Sequence, residues 1–256
     1  MSHYLLNYRI AGNGPPLLLV HGFGISFNIW NELVPLLGPH FTLIMVELPG
    51  IGNSPRPEKE KTYLDQVADG IENIRILLKI ERWKILSYSS GTRVAERYIQ
   101  LNDSRVESAV FLCAVRFSKL RALSLSNALK FDHRFSKFGD WILSGSRLKF
   151  LIELLGFNLK KNNLSVEWFA EISSQPIEIL KETLRSLLVP NAHSFKIPSD
   201  VPAFFIWGDE DLVVETPREH LSSDVVIHAN HSAPETEPRQ VADALLPFLL
   251  SDTLPR

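Results

Sequence analysis

Hydrophobic positions along the chain fall into two alternating patterns. Largely apolar runs at residues 17–20, 41–48, 83–86, 106–115 and 201–207 read as strands, and the unbroken run 17–20 as a central one covered on both faces. An opening strand at 4–10 and a late one at 224–227 are shorter and more polar. Between the runs the apolar spacing becomes helical. Ile29, Trp30, Leu33 and Leu37 make one stripe over 27–37. Val67, Ile71, Ile74, Leu77 and Leu78 make a second over 62–80, where Thr62 can cap the helix with Asp65 as its box partner. Val94, Ala95, Tyr98 and Ile99 follow Ser90 and Gly91 at the same period, and Val241, Leu245 and Phe248 mark a last helix over 237–250. Strands alternating with helices predict βαβ units and a mostly parallel sheet.

The alternation stops at Arg116 and resumes after Ser199. The intervening stretch has no strand pattern and reads as helices at 123–129, 138–143, 148–155 and 177–188. We therefore expect a core of residues 1–115 and 200–256 carrying a helical insertion, 116–199. The insertion has a formal charge of +6 and the remainder −8. It is also rich in large apolar side chains, among them Phe131, Phe135, Phe138, Trp141, Phe150, Phe157, Trp168 and Phe169.

Composition narrows the function. With 45% hydrophobic and 22% charged residues the chain is globular. A net charge of −2 is not that of a nucleic-acid binder. The single cysteine, Cys113, lies in an apolar run and reads as a buried structural thiol. No Cys/His spacing suits zinc. The N-terminus lacks a basic region followed by an apolar one, and no apolar run reaches membrane-spanning length. A soluble, cytoplasmic setting is the expectation.

The residues with chemistry to offer stand where strands end. The run 83–86 leads through Ser87-Tyr88-Ser89-Ser90-Gly91 into a helix, so Ser89 occupies a tight strand-to-helix turn next to a helix N-terminus. Ser87 stands where such a turn usually has glycine, and its Cβ crowds the turn unless room is made for it. Residues 17–20 end in His21-Gly22-Phe23-Gly24, a loop able to present backbone amides. Residues 204–207 run into Gly208-Asp209-Glu210-Asp211, and 225–227 into His228-Ala229-Asn230-His231. An activated serine needs a base, and the base needs an orienting acid. Here a serine, an acid and a histidine arrive in that order on separate loops.

In these segments the chain resembles the α/β-hydrolase family, over nearly its whole length outside the insertion. The 17–24 stretch looks like the family's oxyanion loop. Glu47-Leu48-Pro49-Gly50-Ile51-Gly52-Asn53-Ser54 resembles its D-x-P-G-x-G-x-S segment, with Glu47 in place of aspartate. Trp207 to Asp211 matches its acid loop, and His231 with Pro238 its histidine loop. The resemblance implies an α/β-hydrolase fold, a mostly parallel central sheet flanked by helices, with a helical cap inserted after the sixth strand. It assigns Ser89 as nucleophile, His231 as general base and then acid, and Asp211 as its orienter. The backbone amides of Phe23 and Ser90 become the oxyanion hole. Asp209, His228, His21 and Ser90 are the rivals that these positions set aside. The implied activity is cofactor-free and metal-free cleavage of a small-molecule carboxylic ester, with the cap lining the pocket. Dehalogenases and epoxide hydrolases of the family carry aspartate where Ser89 stands. Thioesterases, carbon–carbon bond hydrolases, lactonases and perhydrolases share the same triad. A ligand-binding member without catalysis is the reading from another class.

Overall fold

The computed structural model describes residues 4–58, 61–115, 171–172, 174–176, 178–180, 183, 196–211, 213–214, 216 and 224–251. Within them one sheet is built from β1 (Tyr8–Gly12), β2 (Pro16–Val20), β3 (Thr42–Val46), β4 (Trp83–Tyr88), β5 (Val106–Leu112), β6 (Ala203–Gly208) and β7 (Val225–Ile227). The spatial order is β1-β3-β2-β4-β5-β6-β7. Only β1, against β3, is antiparallel.

The apolar runs are explained by burial on both sides. Leu18, Val20, Ile44, Val46, Ala109 and Phe111 join one core, while Leu17, Leu19, Leu43, Met45, Val110 and Leu112 join the other. The first core is covered by α2 (Tyr63–Leu77) and α3 (Gly91–Asn102), the second by α1 (Val34–Leu37) and by α5 (Pro238–Leu249), which follows the short α4 (Ala233–Thr236). In α2, Thr62 accepts from the Asp65 amide, as its sequence predicts.

Several expectations are corrected. The opening strand starts at Tyr8, because residues 4–7 bond instead to the 47–56 loop: the Tyr4 hydroxyl donates to the Pro55 and Arg56 carbonyls, and the Asn7 amide to Ser54 Oγ. The helix expected over 27–37 is two pieces, a 3₁₀ turn at Phe27–Trp30 and then α1, in whose first turn Pro35 sits with no amide to donate. Leu77 is 55% exposed, since at 3.6 residues per turn it lies about 80° off the stripe of Val67, Ile71 and Ile74. β5 ends at Leu112 because Cys113 turns to a φ of 48°. Among the described residues five strands precede position 116 and two follow position 199. Most of the stretch 116–199, with the aromatic residues singled out above, lies outside the described residues. Of the rest, Ile172 and Leu180 pack beside Gly24, and Ile179 beside Gly50.

The order of the sheet sets where a ligand can bind. β2 neighbours β3 on one side, and the chain then crosses to β4 on its other side, so the strand order reverses between β2 and β4. In open α/β sheets ligands bind beyond the carboxyl ends of the strands at such a reversal. His21, at the end of β2, ties this edge together. Its Nδ1–H donates to the Gly22 carbonyl at 2.8 Å, and its Nε2 accepts from the Leu48 amide at 3.0 Å. Full burial outweighs the bond to Gly22 and lowers its pKa from 6.5 to about 4. The folded state thus holds the ring neutral where the unfolded chain would protonate it. The stability this confers is complete above pH 6.5 and is lost as the pH falls through about 4, on the order of 3 kcal/mol in all. Exposed His228 acts in the opposite sense, its pKa raised by Asp209, but solvent screens that pair. The denaturant midpoint should therefore fall between pH 7 and pH 4.5. His21→Gln should flatten that slope, and a wild-type midpoint constant across this window would show the ring protonated in the fold.

Candidate active site

β4 runs out into Ser89 at a φ of 52°, a left-handed conformation that costs a residue with a side chain energy. The neighbouring backbone over-determines it. The Ser89 amide donates to the Leu112 carbonyl at 3.0 Å, and its own carbonyl accepts from the Thr92 amide at 3.1 Å and the Thr92 hydroxyl at 2.6 Å. Thr92 Oγ1 accepts in turn from the Val115 amide at 3.2 Å. Space is equally restrictive. A Cβ on Gly91 would collide with the carbonyls of His21 and Val20, and one on Gly22 would stand 3.1 Å from the Ser89 Cβ. Ser87 causes no crowding. It lies within β4, fully buried, with its hydroxyl donating to the Val110 carbonyl at 3.2 Å.

Three buried side chains meet at this turn. Ser89 Oγ lies 2.8 Å from His231 Nε2, and His231 Nδ1 lies 2.7 Å from Asp211 Oδ2. An ionised carboxylate only accepts, so Nδ1 carries the ring hydrogen and Nε2 is left to accept from the serine hydroxyl. Asp211 Oδ1 is held by the amides of Val213 and Val214 at 2.8 and 2.9 Å. Burial pushes the Asp211 carboxyl up, but His231 and those two amides more than offset it and leave the group below its ordinary range. Asp211 and His231 are 4% and 2% exposed, so the relay is shielded from water. Among the described residues, the amides of Phe23 and Ser90 donate to no protein acceptor.

The rivals are elsewhere. His228 and Asp209 pair with each other at the surface, Nδ1 to Oδ2 at 3.1 Å, and Asp209 also accepts from the Ala229 amide. His21 has both ring nitrogens occupied by backbone. Glu47 folds over its own loop, accepting from Asn7 Nδ2 at 2.6 Å and the Asn53 amide at 2.8 Å. Its carboxylate occupies the space a side chain at Gly52 would need, and Gly52 has a φ of 54°.

Two residues beside the relay escaped the sequence reading. Tyr88, the variable position of the turn motif, sends its hydroxyl to the His231 carbonyl at 2.6 Å. Cys113 lies so that its sulfur, an Asp211 oxygen and a His231 nitrogen are within 4.8 Å of one another, which makes them the one metal-compatible group among the described residues. They fit an ion poorly. His231 Nδ1 and Asp211 Oδ2 already bond each other, while burial and the Asp211 charge hold the thiol protonated well above its ordinary range. Position 113 carried a signal only as part of an apolar run, 106–115, that outlasts the strand by three residues.

Comparison with known proteins follows the same lines. Over an alignment covering 97% of this chain and 94% of the relative, the sequence is 26% identical to a soluble epoxide hydrolase of Corynebacterium sp. (strain C12). Over 99 residues, 39% of this chain and 37% of the relative, it is 34% identical to a pimeloyl-[acyl-carrier protein] methyl ester esterase of Aeromonas salmonicida. The chain spans about a third of the length of several curated relatives that it matches. A thermophilic esterase of Thermogutta terrifontis, solved with malate bound, superposes with a TM-score of 0.74 at 19% identity, covering 96% of this chain and 93% of that one. A family model described as alpha/beta hydrolase fold matches residues 15–221, most of the sequence, and the chain belongs to the α/β-hydrolase fold family.

Proposed function

We propose that the chain is a serine hydrolase that cleaves a small-molecule carboxylic ester through an acyl-enzyme. The observation that carries this reading is the unbroken line from Ser89 Oγ through His231 to Asp211 Oδ2, at 2.8 and 2.7 Å. His231 Nε2 takes the hydroxyl proton as Ser89 Oγ attacks the ester carbonyl. The resulting oxyanion is received by the Phe23 and Ser90 amides, the latter at the N-terminus of α3, where the helix dipole favours negative charge. The imidazolium then protonates the departing alkoxide. A water molecule repeats the sequence on the acyl-enzyme, with His231 again taking the proton, and the acid is released. Asp211 stays ionised throughout and fixes the ring in the tautomer that leaves Nε2 free to accept. Acyl transfer and proton transfer are the whole of the chemistry, and neither step needs a cofactor.

The relative named as an epoxide hydrolase invites a second reading, and the chemistry of Ser89 disfavours it. A serine that opened an epoxide would become an ether, which base-activated water does not cleave, and the enzyme would stop after one event. A serine that attacks an acyl carbonyl becomes an ester, which the same relay hydrolyses. Thioesters, lactones and activated carbon–carbon bonds beside a carbonyl pass the same test. The ester is preferred because relatives named as esterases recur among the matches. In this reading residues 116–199 form a cap over Ser89, and its described residues include Ile172 and Leu180 beside the oxyanion loop at Gly24 and Ile179 beside Gly50.

A fluorophosphonate probe should label the protein stoichiometrically, and Ser89→Ala should abolish both labelling and turnover of p-nitrophenyl esters while the protein stays folded. Loss of a triad nucleophile costs up to about 10⁶-fold in kcat. If Ser90→Ala is the inactive variant and Ser89→Ala is not, the assignment is wrong. Asp211→Asn presents an amide to the imidazole and selects the wrong tautomer. Its kcat should drop by about 10³–10⁴-fold with KM little changed; a loss under tenfold would remove Asp211 from the relay.

A further inference from the structure

We infer that Tyr88 is a positioning residue, whose hydroxyl fixes the distance between His231 and Ser89 by holding the backbone that carries the imidazole. The inference rests on the serine-hydrolase reading above for its catalytic meaning, and on the hydrogen bond itself for its structural one.

The need for such a device follows from where His231 sits. It comes after β7, three residues long and last in the strand order among the described residues, and the bonds of positions 228 and 229 run to Asp209, Glu210 and Gln240, none of them on the strand that leads to Ser89. Ser89, by contrast, emerges from β4, paired on both sides in the middle of the sheet. Tyr88 is the last residue of β4 and the immediate neighbour of Ser89. Its hydroxyl donates to the main-chain carbonyl of His231 at 2.6 Å, a bond across 143 positions of sequence. One end of the relay is thereby tied to the strand that bears the other.

The side chain has little freedom to do anything else. It is 1% exposed. Its ring centroid lies 5.3 Å from that of the His231 imidazole, and Trp30 meets it edge-on at 6.2 Å. Gly22 lies so near that a Cβ there would be 3.3 Å from the Tyr88 ring. Burial raises the phenol well above its ordinary range, so the hydroxyl remains a donor across working pH, and its acceptor is a carbonyl that does not titrate. The role is therefore mechanical and not acid–base. During turnover the imidazole must reach the serine oxygen, the leaving group and a water in succession, and displacement of a reacting group by about 1 Å can cost 10²-fold.

The experiment compares Tyr88→Phe, which removes one oxygen and keeps the ring, with incorporation of 4-aminophenylalanine at position 88, which restores a donor. For Tyr88→Phe we expect kcat on p-nitrophenyl esters to fall at least tenfold with KM within twofold, and the rate of fluorophosphonate labelling to fall in step. The low-field proton resonance of the His231 Nδ1–H should shift or broaden. The amino variant should recover most of each quantity. Rates within twofold of wild type together with an unmoved resonance in Tyr88→Phe would overturn the proposal, as would losses that the restored donor does not recover. The resonance is read without substrate. A wild-type protein that the probe does not label, but whose resonance still responds to Tyr88→Phe, would therefore sink the serine-hydrolase reading and leave the clamp standing.

Discussion

The left-handed turn at Ser89 is the constraint to which the surrounding structure answers. A residue with a side chain does not hold a φ of 52° unless its environment leaves it no alternative. Here the alternatives are closed by the Leu112 carbonyl on one side, by Thr92 on the other, and by backbone so close that glycine is required at 91. Thr92 in turn holds the amide of Val115, so the strained turn also determines how the chain leaves β5. The Ser89 turn and the exit of the chain from β5 are one hydrogen-bonded unit.

Much of this was legible in the sequence because the relevant physics is local. A continuous apolar run has to be a strand buried on both faces, and a serine-rich turn between such a run and a helical stripe has few conformations to choose from. Ser89, Asp211 and His231 could be named because each follows a strand end, and the resemblance supplied their roles. What stayed hidden depends on neighbours distant in sequence. Nothing near Tyr88 announces that its hydroxyl would meet a carbonyl 143 residues away. The departure of Leu77 from the α2 stripe was in principle readable, since its angular position follows from its number alone. The fate of residues 4–7 was not, because their partners at 47–56 are fixed only when β1 has paired with β3.

Glu47 shows how a departure from a family pattern can be absorbed. The longer side chain does not reach toward the relay. It curls over its own loop, takes hydrogens from Asn7 and Asn53, and leaves room at 52 only for glycine. The extra methylene is accommodated by the loop, which also receives Ile179 at Gly50. The same loop is anchored to His21 through the Leu48 amide. A change of one residue type at 47 is therefore transmitted through His21 and the 21–24 loop and not through Ser89.

The parallel register carries a consequence for how this chain can change. Val20 is level with Val46 and with Ser87, Ser87 with Phe111, and Phe111 with Phe205. Each candidate group then hangs a fixed, small number of residues beyond that common line: two or three to Gly22 and Phe23, two to Ser89, six to Asp211. Turns at the opposite rim, such as 13–15, 79–82 and 103–105, lie upstream of the ladders and reach none of these groups. The molecule is thus divided into a rim that can gain or lose residues freely and a rim where one inserted residue would misalign the whole relay. Recombination or grafting between relatives has a natural seam along the first rim, with the second carried over intact.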